Sequence, residues 1–220
     1  FKPALSNTCV LLDTGKETSY NQLASALNAR GIRSINTLFI SHGDEDHNGN
    51  IGNLSKDFKV KEIIDTHFES YRTGKYTFYD LNTIQSEDTN ESGLVLFTTI
   101  QHKNYLFMAD VPKEVEEHIF LDYDFKVHVL KLGHHGSHTS TSDALLTTTQ
   151  PDIALISAGK ENIYHHPSEE TLQRLLQYHV PYISTQNEGD IHFYFFLGQT
   201  MMVTSKGIIT LIECFDRSIK

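Results

Sequence analysis

One short stretch of this sequence concentrates side chains that bind metal ions. In "LFISHGDEDHNGN", His42, Asp44, Asp46 and His47 follow directly after an apolar run. In an extended loop, the alternate residues His42, Asp44 and Asp46 point the same way, and His47 is expected in the turn that follows. Carboxylates packed this closely repel one another, and a divalent cation would offset that repulsion. Neutral imidazole suits zinc, manganese and iron, whereas carboxylates suit harder cations. A solvated acidic turn would explain the aspartates but not the two histidines, so the stretch predicts a metal site.

Three further groups of the same chemistry occur elsewhere in the chain. Asp13 lies in "LLDTG", Asp110 in "LFMADVP", and His134 and His135 in "LKLGHHGSHTSTS". Each group comes just past the end of an apolar run that reads as a strand. The carboxyl ends of strands in α/β proteins meet at one edge, where binding sites form. The pattern therefore predicts one site built from four separate loops.

The elements that must position these loops alternate between strands and helices. "YNQLASALNARG" has apolar residues at helical spacing and should end at Gly31. "GLVLFTTI" and "KNYLFMAD" read as paired strands, with "QHKN" as the turn. Further strands are predicted at "TCVLLDTG", "INTLFIS", "KVKEIID", "KVHVLKL", "DIALISA", "VPYIST", "DIHFYFFL", "TMMVTS" and "GIITLIEC", and further helices at "PKEVEEHIF", "SDALLTTT" and "PSEETLQRLLQY", with a helical turn after "HNGN". Residues 66–90 are mixed and give no prediction. The whole, residues 1–220, is expected to form a single layered α/β domain.

Composition narrows the range of functions. The formal net charge of −10 over 220 residues argues against a broadly basic nucleic-acid-binding surface, although a bound metal can create a local positive site. No apolar run approaches the roughly 18 residues of a membrane span. Cys9 and Cys214 are expected to be buried thiols, with a bond between them as the alternative. Since the first residue is Phe1 and not Met, the chain is expected to be processed or excised from a longer protein.

The motifs together resemble a known family. H-x-D-x-D-H after a strand is similar to H-x-H-x-D-H, the signature of the metallo-β-lactamase fold superfamily. The wording "SHGDEDHNGN", "FMADVP", "LKLGHHGSHTSTS" and "PDIALISAGKENIYHHP" most resembles the metallo-β-lactamase-like domain of the ComEC family of competence proteins, which are DNA-uptake channels. The likeness runs from about Val10 to about Asp190. It implies a four-layer αββα sandwich and a metal-dependent hydrolase.

Carried over residue by residue, the resemblance implies two metal sites. One would use Asp46, His47, Asp110 and His135. The other would use His42, Asp44 and the bridging Asp110. His135 is preferred over His134 because the last ligand of the family directly precedes a glycine, here Gly136. The resemblance thus implies one or two divalent ions, zinc or manganese.

The sequence departs from the broader superfamily pattern at two positions. Asp44 stands where a second histidine is usual, and the histidine of the third motif is absent. Asn90 or Ser92 in "NESGLVLF" are the alternatives there. An oxygen donor in place of nitrogen makes the ligand set of the first site better suited to hard cations, which favours manganese or magnesium over zinc at that position.

The resemblance also implies catalytic roles. Asp46 would orient the attacking water, while His134 or His166, in "YHHPSEE", would donate hydrogen bonds to the phosphoryl group or the leaving oxygen. His166 could equally serve only to begin a helix. Asp13 would either orient a ligand histidine or simply end a strand. A hydroxyl-rich run offers either phosphate contacts or helix caps: Ser137, Thr139, Ser140 and Ser142.

The expected substrate is DNA or another phosphodiester, cleaved in connection with DNA uptake. The resemblance further implies attachment to a membrane-channel protein, with this domain on the outer, periplasmic or extracellular, face. Two alternatives remain open. One is a different hydrolase on the same fold, such as a phosphorylcholine esterase or a small ester or lactam hydrolase. The other is a degenerate, non-catalytic domain that binds DNA, and the missing third-motif histidine favours it.

Overall fold

The computed structural model describes residues 8–121, 123–196, 199–207 and 209–212. The strands are β1 (Val10–Leu12), β2 (Ser34–Ile35), β3 (Thr37–Phe39), β4 (Lys59–Val60), β5 (Ile63–Ile64), β6 (Tyr71–Thr73), β7 (Tyr76–Asp80), β8 (Leu96–Ile100), β9 (Lys103–Phe107), β10 (Val129–Lys131), β11 (Ile153–Ile156), β12 (Tyr182–Ser184), β13 (Ile191–Phe196), β14 (Gln199–Thr204) and β15 (Ile209–Ile212). The helices are α1 (Tyr20–Ala29), α2 (Glu45–Asn48), α3 (Ile51–Asp57), α4 (Lys113–Leu121), α5 (Asp143–Thr149), α6 (Glu169–Gln177) and α7 (Thr185–Glu188), with 3-10 turns at Glu17–Ser19 and His134–Gly136.

Two sheets carry the loops that bear the predicted ligands. The smaller sheet has the order β1-β3-β5, and all of its pairs are parallel. The larger sheet has the order β12-β11-β10-β9-β8-β7-β6, parallel from β12 to β9 and antiparallel from β9 to β6. Because β9 and β10 are parallel, the segments that follow them leave the sheet at the same edge. The same holds for β1 and β3 in the smaller sheet.

Alternating side chains place these sheets between layers of helix. In β3, Leu38 is buried among residues of α1 and α3, whereas its neighbour Phe39 is buried against the larger sheet. In β9, Tyr105 faces the smaller sheet and Leu106 packs with α4, α5 and α6. Successive residues of a strand point to opposite faces, so each sheet buries both faces. The predicted four-layer αββα sandwich is confirmed.

Most of the predicted elements are present. The helix α1 ends at Ala29, and Gly31 just beyond it has the left-handed φ of +64° that glycine adopts without strain. The β8–β9 hairpin is confirmed, with a turn at Gln101 and His102, both at positive φ. "KVKEIID", predicted as one strand, is instead two: β4 pairs with β2 and β5 pairs with β3.

Residues 66–90, for which there was no prediction, contain the hairpin β6–β7 at the edge of the larger sheet. Edge strands need to bury less apolar surface, which explains the weak pattern there. Cys9 is buried, as expected, and Cys214 lies outside the described residues. Among the described residues, no helix is both long enough and apolar enough to cross a membrane.

Candidate metal centre

The four predicted loops meet at one place. Nε2 of His135 lies 3.3 Å from Asp46 Oδ2 and 3.6 Å from Asp110 Oδ2. Nε2 of His47 lies 3.5 Å from the same Asp110 oxygen. On the other side of His47, the ring of His42 lies 3.9 Å away, centroid to centroid. Residues more than 80 positions apart in the chain thus form one compact cluster.

The cluster contains two groups able to hold an ion. In each group the candidate ligand atoms all lie within 4.8 Å of one another. The groups are His42, His47 and Asp110, and Asp46, His47 and His135. Asp44 lies beside the first group, with Oδ2 3.8 Å from His42 Nε2. The six residues predicted as ligands are therefore all brought together.

The first histidine loop differs locally from the prediction. An extended loop with alternate residues facing one way was expected for residues 42–46, but Glu45–Asn48 form the helical turn α2. Asp44 precedes this turn with an extended backbone, and its carbonyl accepts the His47 N–H at 3.0 Å. Asp46 and His47 therefore lie on one helical turn. The extended-loop prediction is wrong because a backbone turn of four residues leaves no periodicity to detect.

Asp13 orients His47. The Nδ1 of His47 donates to Asp13 Oδ2 at 2.8 Å, and the other Asp13 oxygen accepts the N–H of Ser41 at 2.7 Å. This contact supports the orienting role and not the mere strand-ending role. Burial lowers the pKa of His47, but contacts with Asp110 and Asp13 outweigh burial and raise that pKa to about 9. The imidazole thus lies in a strongly negative environment, as expected of a cation site.

Three histidines of the cluster share one arrangement. In each, Nδ1 has a protein acceptor: Ser41 Oγ at 3.1 Å for His42, Asp13 for His47, and the carbonyl of Ser157 at 2.8 Å for His135. A hydrogen bond at one ring nitrogen fixes the proton there and leaves the lone pair of the other free. The three Nε2 atoms all face the cluster, where that of His135 contacts Asp46 Oδ2. Within the described residues, the buried Nε2 atoms of His42 and His47 have no hydrogen-bond partner.

The second histidine loop takes its shape from the backbone. His134, His135 and Gly136 all have positive φ, at 46°, 54° and 82°. Such conformations are rare for non-glycine residues and concentrate at functional sites. A side chain at Gly136 would lie 2.8 Å from Cβ of Pro167, so glycine is required for the close approach. This conformation directs His135 into the cluster.

The carboxylates carry charge despite their surroundings. Asp110 is only 4% exposed, and its Oδ1 accepts the backbone N–H of His134 at 3.2 Å. Burial raises the pKa of Asp110, but His47, Lys131 and His135 outweigh burial and hold that pKa far below its usual range. The pKa of Asp46 is also lowered, because His47 and His135 overcome the effect of burial. Both side chains are therefore in the ionised form in which a carboxylate can bind a cation.

The two histidines predicted to contact substrate lie beside the cluster. The rings of His134 and His166 are 5.8 Å apart, and Nδ1 of His134 lies 3.3 Å from Thr139 Oγ1. The Nδ1 of His166 is buried without a hydrogen-bond partner among the described residues. Burial, and then the charge of His134, lowers the pKa of His166. Its imidazole is therefore neutral near pH 7.

The hydroxyl run is mostly structural. Ser140 is fully buried and donates to the carbonyl of Gly133, and Ser142 caps α5 by accepting the N–H of Leu145. The phosphate role is therefore wrong for these two hydroxyls, because both are used inside the fold. Thr139, which is exposed, remains beside His134.

The two alternatives for the third motif differ in their contacts. Ser92 Oγ donates to the carbonyl of Asp88 at 2.9 Å, which uses its hydroxyl within the loop. The Oδ1 of Asn90 is buried and has no hydrogen-bond partner among the described residues. The loop that contains Asn90 packs close to the metal centre. A Cβ atom at Gly93 would lie only 3.1 Å from Cβ of Ala109, the residue before Asp110. Asn90 is therefore the better candidate of the two.

Sequence reasoning missed three supporting residues. Thr89 donates to Asp44 Oδ1 at 2.8 Å, and Ser41 lies between the two histidines of the first loop. Glu116 is fully buried in α4 and accepts the backbone N–H groups of Thr141 and Ser142. Ser41 could have been found from its place just before His42. The other two act across long sequence separations and leave no local signal.

The donor set fits divalent metal ions. The Nε2 atoms of three imidazoles and the oxygens of three carboxylates face one another. Nitrogen donors suit zinc, and a mixed nitrogen and oxygen set suits manganese as well. Without a cation, the buried imidazole atoms would lack a partner, and burying polar groups unpaired is costly. The residues present therefore match one or two ions.

Comparison with known proteins agrees with this geometry. The family model of the metallo-beta-lactamase superfamily matches residues 5–142. The chain belongs to the metallo-β-lactamase superfamily. Its members are typically metal-dependent hydrolases, and proteins of this fold bind one or two metal ions. The chain is also similar in fold to the solved metallo-beta-lactamase fold protein YhfI of Bacillus subtilis, with a TM-score of 0.56 and 13% identity over 80% of this chain and 83% of that one.

Several competence proteins are related in sequence. The chain is 29% identical to ComE operon protein 3 of Bacillus subtilis over 84% of its length, and 28% identical to competence protein ComA of Neisseria gonorrhoeae over 86%. It is also 28% identical to recombination protein 2 of Haemophilus influenzae over 85%. The chain spans only 30%, 29% and 26% of these relatives, respectively. The predicted similarity to ComEC-family competence proteins is confirmed.

Proposed function

We propose that this protein is a metal-dependent phosphodiesterase, and specifically a nuclease that cleaves DNA in connection with DNA uptake. The observation that carries the proposal is the convergence of three imidazole Nε2 atoms, two of them buried without a hydrogen-bond partner among the described residues, with three carboxylates. The resemblance to competence proteins supports DNA as the substrate. The chain would then act as part of a membrane-channel protein, on the outer face of the membrane.

Six residues would hold one or two divalent ions. Asp46, His47, Asp110 and His135 would form one site, and His42, Asp44 and the shared Asp110 the other. When bound, such ions polarise the phosphodiester, lower the pKa of water and stabilise negative charge in the transition state. Because Asp44 is an oxygen donor, manganese is favoured over zinc at the site of His42.

The side chains around the ions would have separate tasks. Asp46, ionised and half-exposed, orients the attacking water and accepts its proton. Asp13 keeps the Nε2 lone pair of His47 directed at the centre. His134 and His166, 5.8 Å apart at the edge of the cluster, donate hydrogen bonds to the phosphoryl oxygens or the leaving oxygen.

Cleavage of a phosphodiester with variants of the centre tests the proposal. Asp46→Ala and His47→Ala should each lower the manganese-dependent rate about a thousandfold or more, since bound metal contributes several kcal/mol. Asp124→Ala and His118→Ala, at exposed positions, are matched controls that should keep full activity. Circular dichroism establishes that all four variants fold. Undiminished cleavage by Asp46→Ala and His47→Ala would refute the assignment.

The wild-type protein with a substrate panel separates the alternative functions. DNA, a phosphorylcholine ester, a carboxylic ester and a β-lactam are compared in one manganese buffer. The proposal requires hydrolysis of DNA to be the fastest. DNA that is bound but never cut would identify the non-catalytic alternative, and preferred hydrolysis of another substrate would identify a different hydrolase on the same fold.

A further inference from the structure

A cavity of about 570 Å³ lies beside the candidate metal centre. Its walls come from residues 160–163 and 165–167, between β11 and α6, from Tyr182 and Ser184 of β12, and from Gln186 and Asn187 of α7. Leu172 of α6 completes the lining. The volume falls within the range of about 300–1,000 Å³ typical of sites for small molecules. No role in the metal centre accounts for this cavity.

His166 connects the cavity to the metal centre. It lines the cavity, and on its other side its ring lies 5.8 Å from that of His134. The backbone N–H of His134 in turn donates to Asp110. Pro167, which also lines the cavity, packs against Gly136 in the second histidine loop. A nucleotide held in the cavity would therefore be adjacent, along the strand, to a phosphodiester positioned at the metal centre.

The rim of the cavity exposes apolar surface. Tyr164 lies outside the lining but beside it, since its ring is stacked on that of His166, with centroids 5.8 Å apart and planes at 18°, and Tyr164 remains 68% exposed. Ile163 is 80% exposed and Tyr182 is 45% exposed. Clustered exposed aromatic and aliphatic side chains indicate a binding surface. Flat π-faces of this kind stack against nucleobases without regard to sequence.

The polar groups of the walls suit a nucleotide. Lys160 provides an ammonium group, and Gln186 and Asn187 provide amides that pair with base edges or phosphate oxygens. The ammonium of Lys206 contacts the carbonyl of Asn187, which brings a second cation to this side. Among the described lining residues, Glu161 is the one carboxylate. Lys160 and Glu161 balance each other in the lining, and Lys206 beside it adds one positive charge, which favours an anionic ligand over a cation such as choline.

We propose that this cavity, together with the exposed ring of Tyr164 beside it, binds one unpaired nucleotide next to the scissile phosphodiester, with the base stacked on Tyr164, so that the protein prefers single-stranded to duplex DNA. A paired base has both faces covered by its stacked neighbours and cannot reach this surface. The proposal rests on the proposed phosphodiesterase function for the position of the reacting phosphate. It extends that function by assigning strandedness and a contact residue.

Binding of a fluorescent oligothymidylate, measured by anisotropy with chelator present, tests the cavity without any cleavage. Tyr164→Ala should weaken binding about tenfold, the size expected for one base–aromatic stack, whereas Tyr164→Phe should bind like the wild type. Tyr79→Ala is the matched control, because Tyr79 is 43% exposed on β7, far along the sheet from β12. It should not change binding.

Hydrolysis then separates this proposal from the proposed function. With manganese, Tyr164→Ala should raise KM for the single strand about tenfold. It should raise KM for bis(4-nitrophenyl) phosphate much less, since that small diester does not fill the cavity. Wild-type affinity in Tyr164→Ala, equal binding of duplex and single strand, or displacement of the oligonucleotide by phosphocholine would each overturn the cavity proposal. Failure of the wild type to hydrolyse any phosphodiester would instead refute the proposed function, and the anisotropy result would stand separately.

Discussion

The two histidine loops of the centre are held in place by different means. In residues 41–47, side chains position the histidines: Ser41 makes a hydrogen bond to the ring of His42, and Asp13 makes one to the ring of His47. In residues 133–142, the backbone conformation positions the histidines, since His134 and His135 are consecutive left-handed residues. The buried carboxylate of Glu116 holds this loop by accepting backbone N–H groups. The first loop should therefore tolerate changes without unfolding, whereas changes beneath the second should cost stability.

The largest effect is expected beneath the second loop. Glu116→Ala removes the acceptor for two backbone N–H groups and leaves a cavity, so it should lower the free energy of unfolding by about 3 kcal/mol. Glu117→Ala changes the same residue type at the next, exposed position and should have almost no effect. Urea unfolding of both variants gives the comparison. If Glu116→Ala were as stable as Glu117→Ala, the second loop would not depend on its buried carboxylate.

The pH dependence of stability provides a second test of Glu116. Burial raises the pKa of Glu116 to about 7 from an ordinary value of 4.5, so its contribution to stability is complete below pH 4.5 and is lost as the pH rises through 7. Between about pH 5 and 8, the wild type should lose about 2 kcal/mol relative to Glu116→Gln, which does not titrate. The free energies of unfolding are measured with chelator present. If the free energies of unfolding of the wild type and Glu116→Gln differ by the same amount at every pH in this range, the prediction is wrong.

A smaller effect, and one on function, is expected in the first loop. Asp13→Asn keeps the shape of the side chain but removes the charge that fixes the tautomer of His47. Loss of such an orienting partner typically lowers metal affinity or activity about 10- to 100-fold. The free energy of unfolding should change much less than in Glu116→Ala. Asp124→Asn, at an exposed position, is the control. An unchanged manganese affinity in Asp13→Asn would show that side-chain contacts do not position the histidines of the first loop.

The smallest effect is expected at Thr89. Thr89→Val removes the hydroxyl that donates to Asp44 while nearly preserving shape. One hydrogen bond near the surface contributes about 1 kcal/mol, which corresponds to a manganese affinity about fivefold lower. Thr83→Val, also exposed and in a loop, is the control. An unchanged affinity would mean that Asp44 needs no support to act as a ligand.

The centre was predictable from sequence because its residues follow the ends of apolar strands. Asp110 and His135 could be placed together without knowing any contact, since parallel neighbours β9 and β10 must end at one edge. The helical turn α2 could not be predicted, because four residues carry no helical period. Glu116 and Thr89 were missed since their partners lie 25 and 45 positions away. The cavity beside Tyr164 was missed for the same reason, because its walls join the segment between β11 and α6 with residues of β12 and α7.

The most direct test of the centre is a calorimetric titration of manganese into protein freed of metal by a chelator. We expect the wild type to bind one or two ions per chain, and His118→Ala, whose histidine is exposed on α4, to bind the same number. His135→Ala should bind at least about tenfold more weakly, since it removes a nitrogen donor facing both Asp46 and Asp110. No binding by the wild type, or equal binding by His135→Ala, would contradict the account.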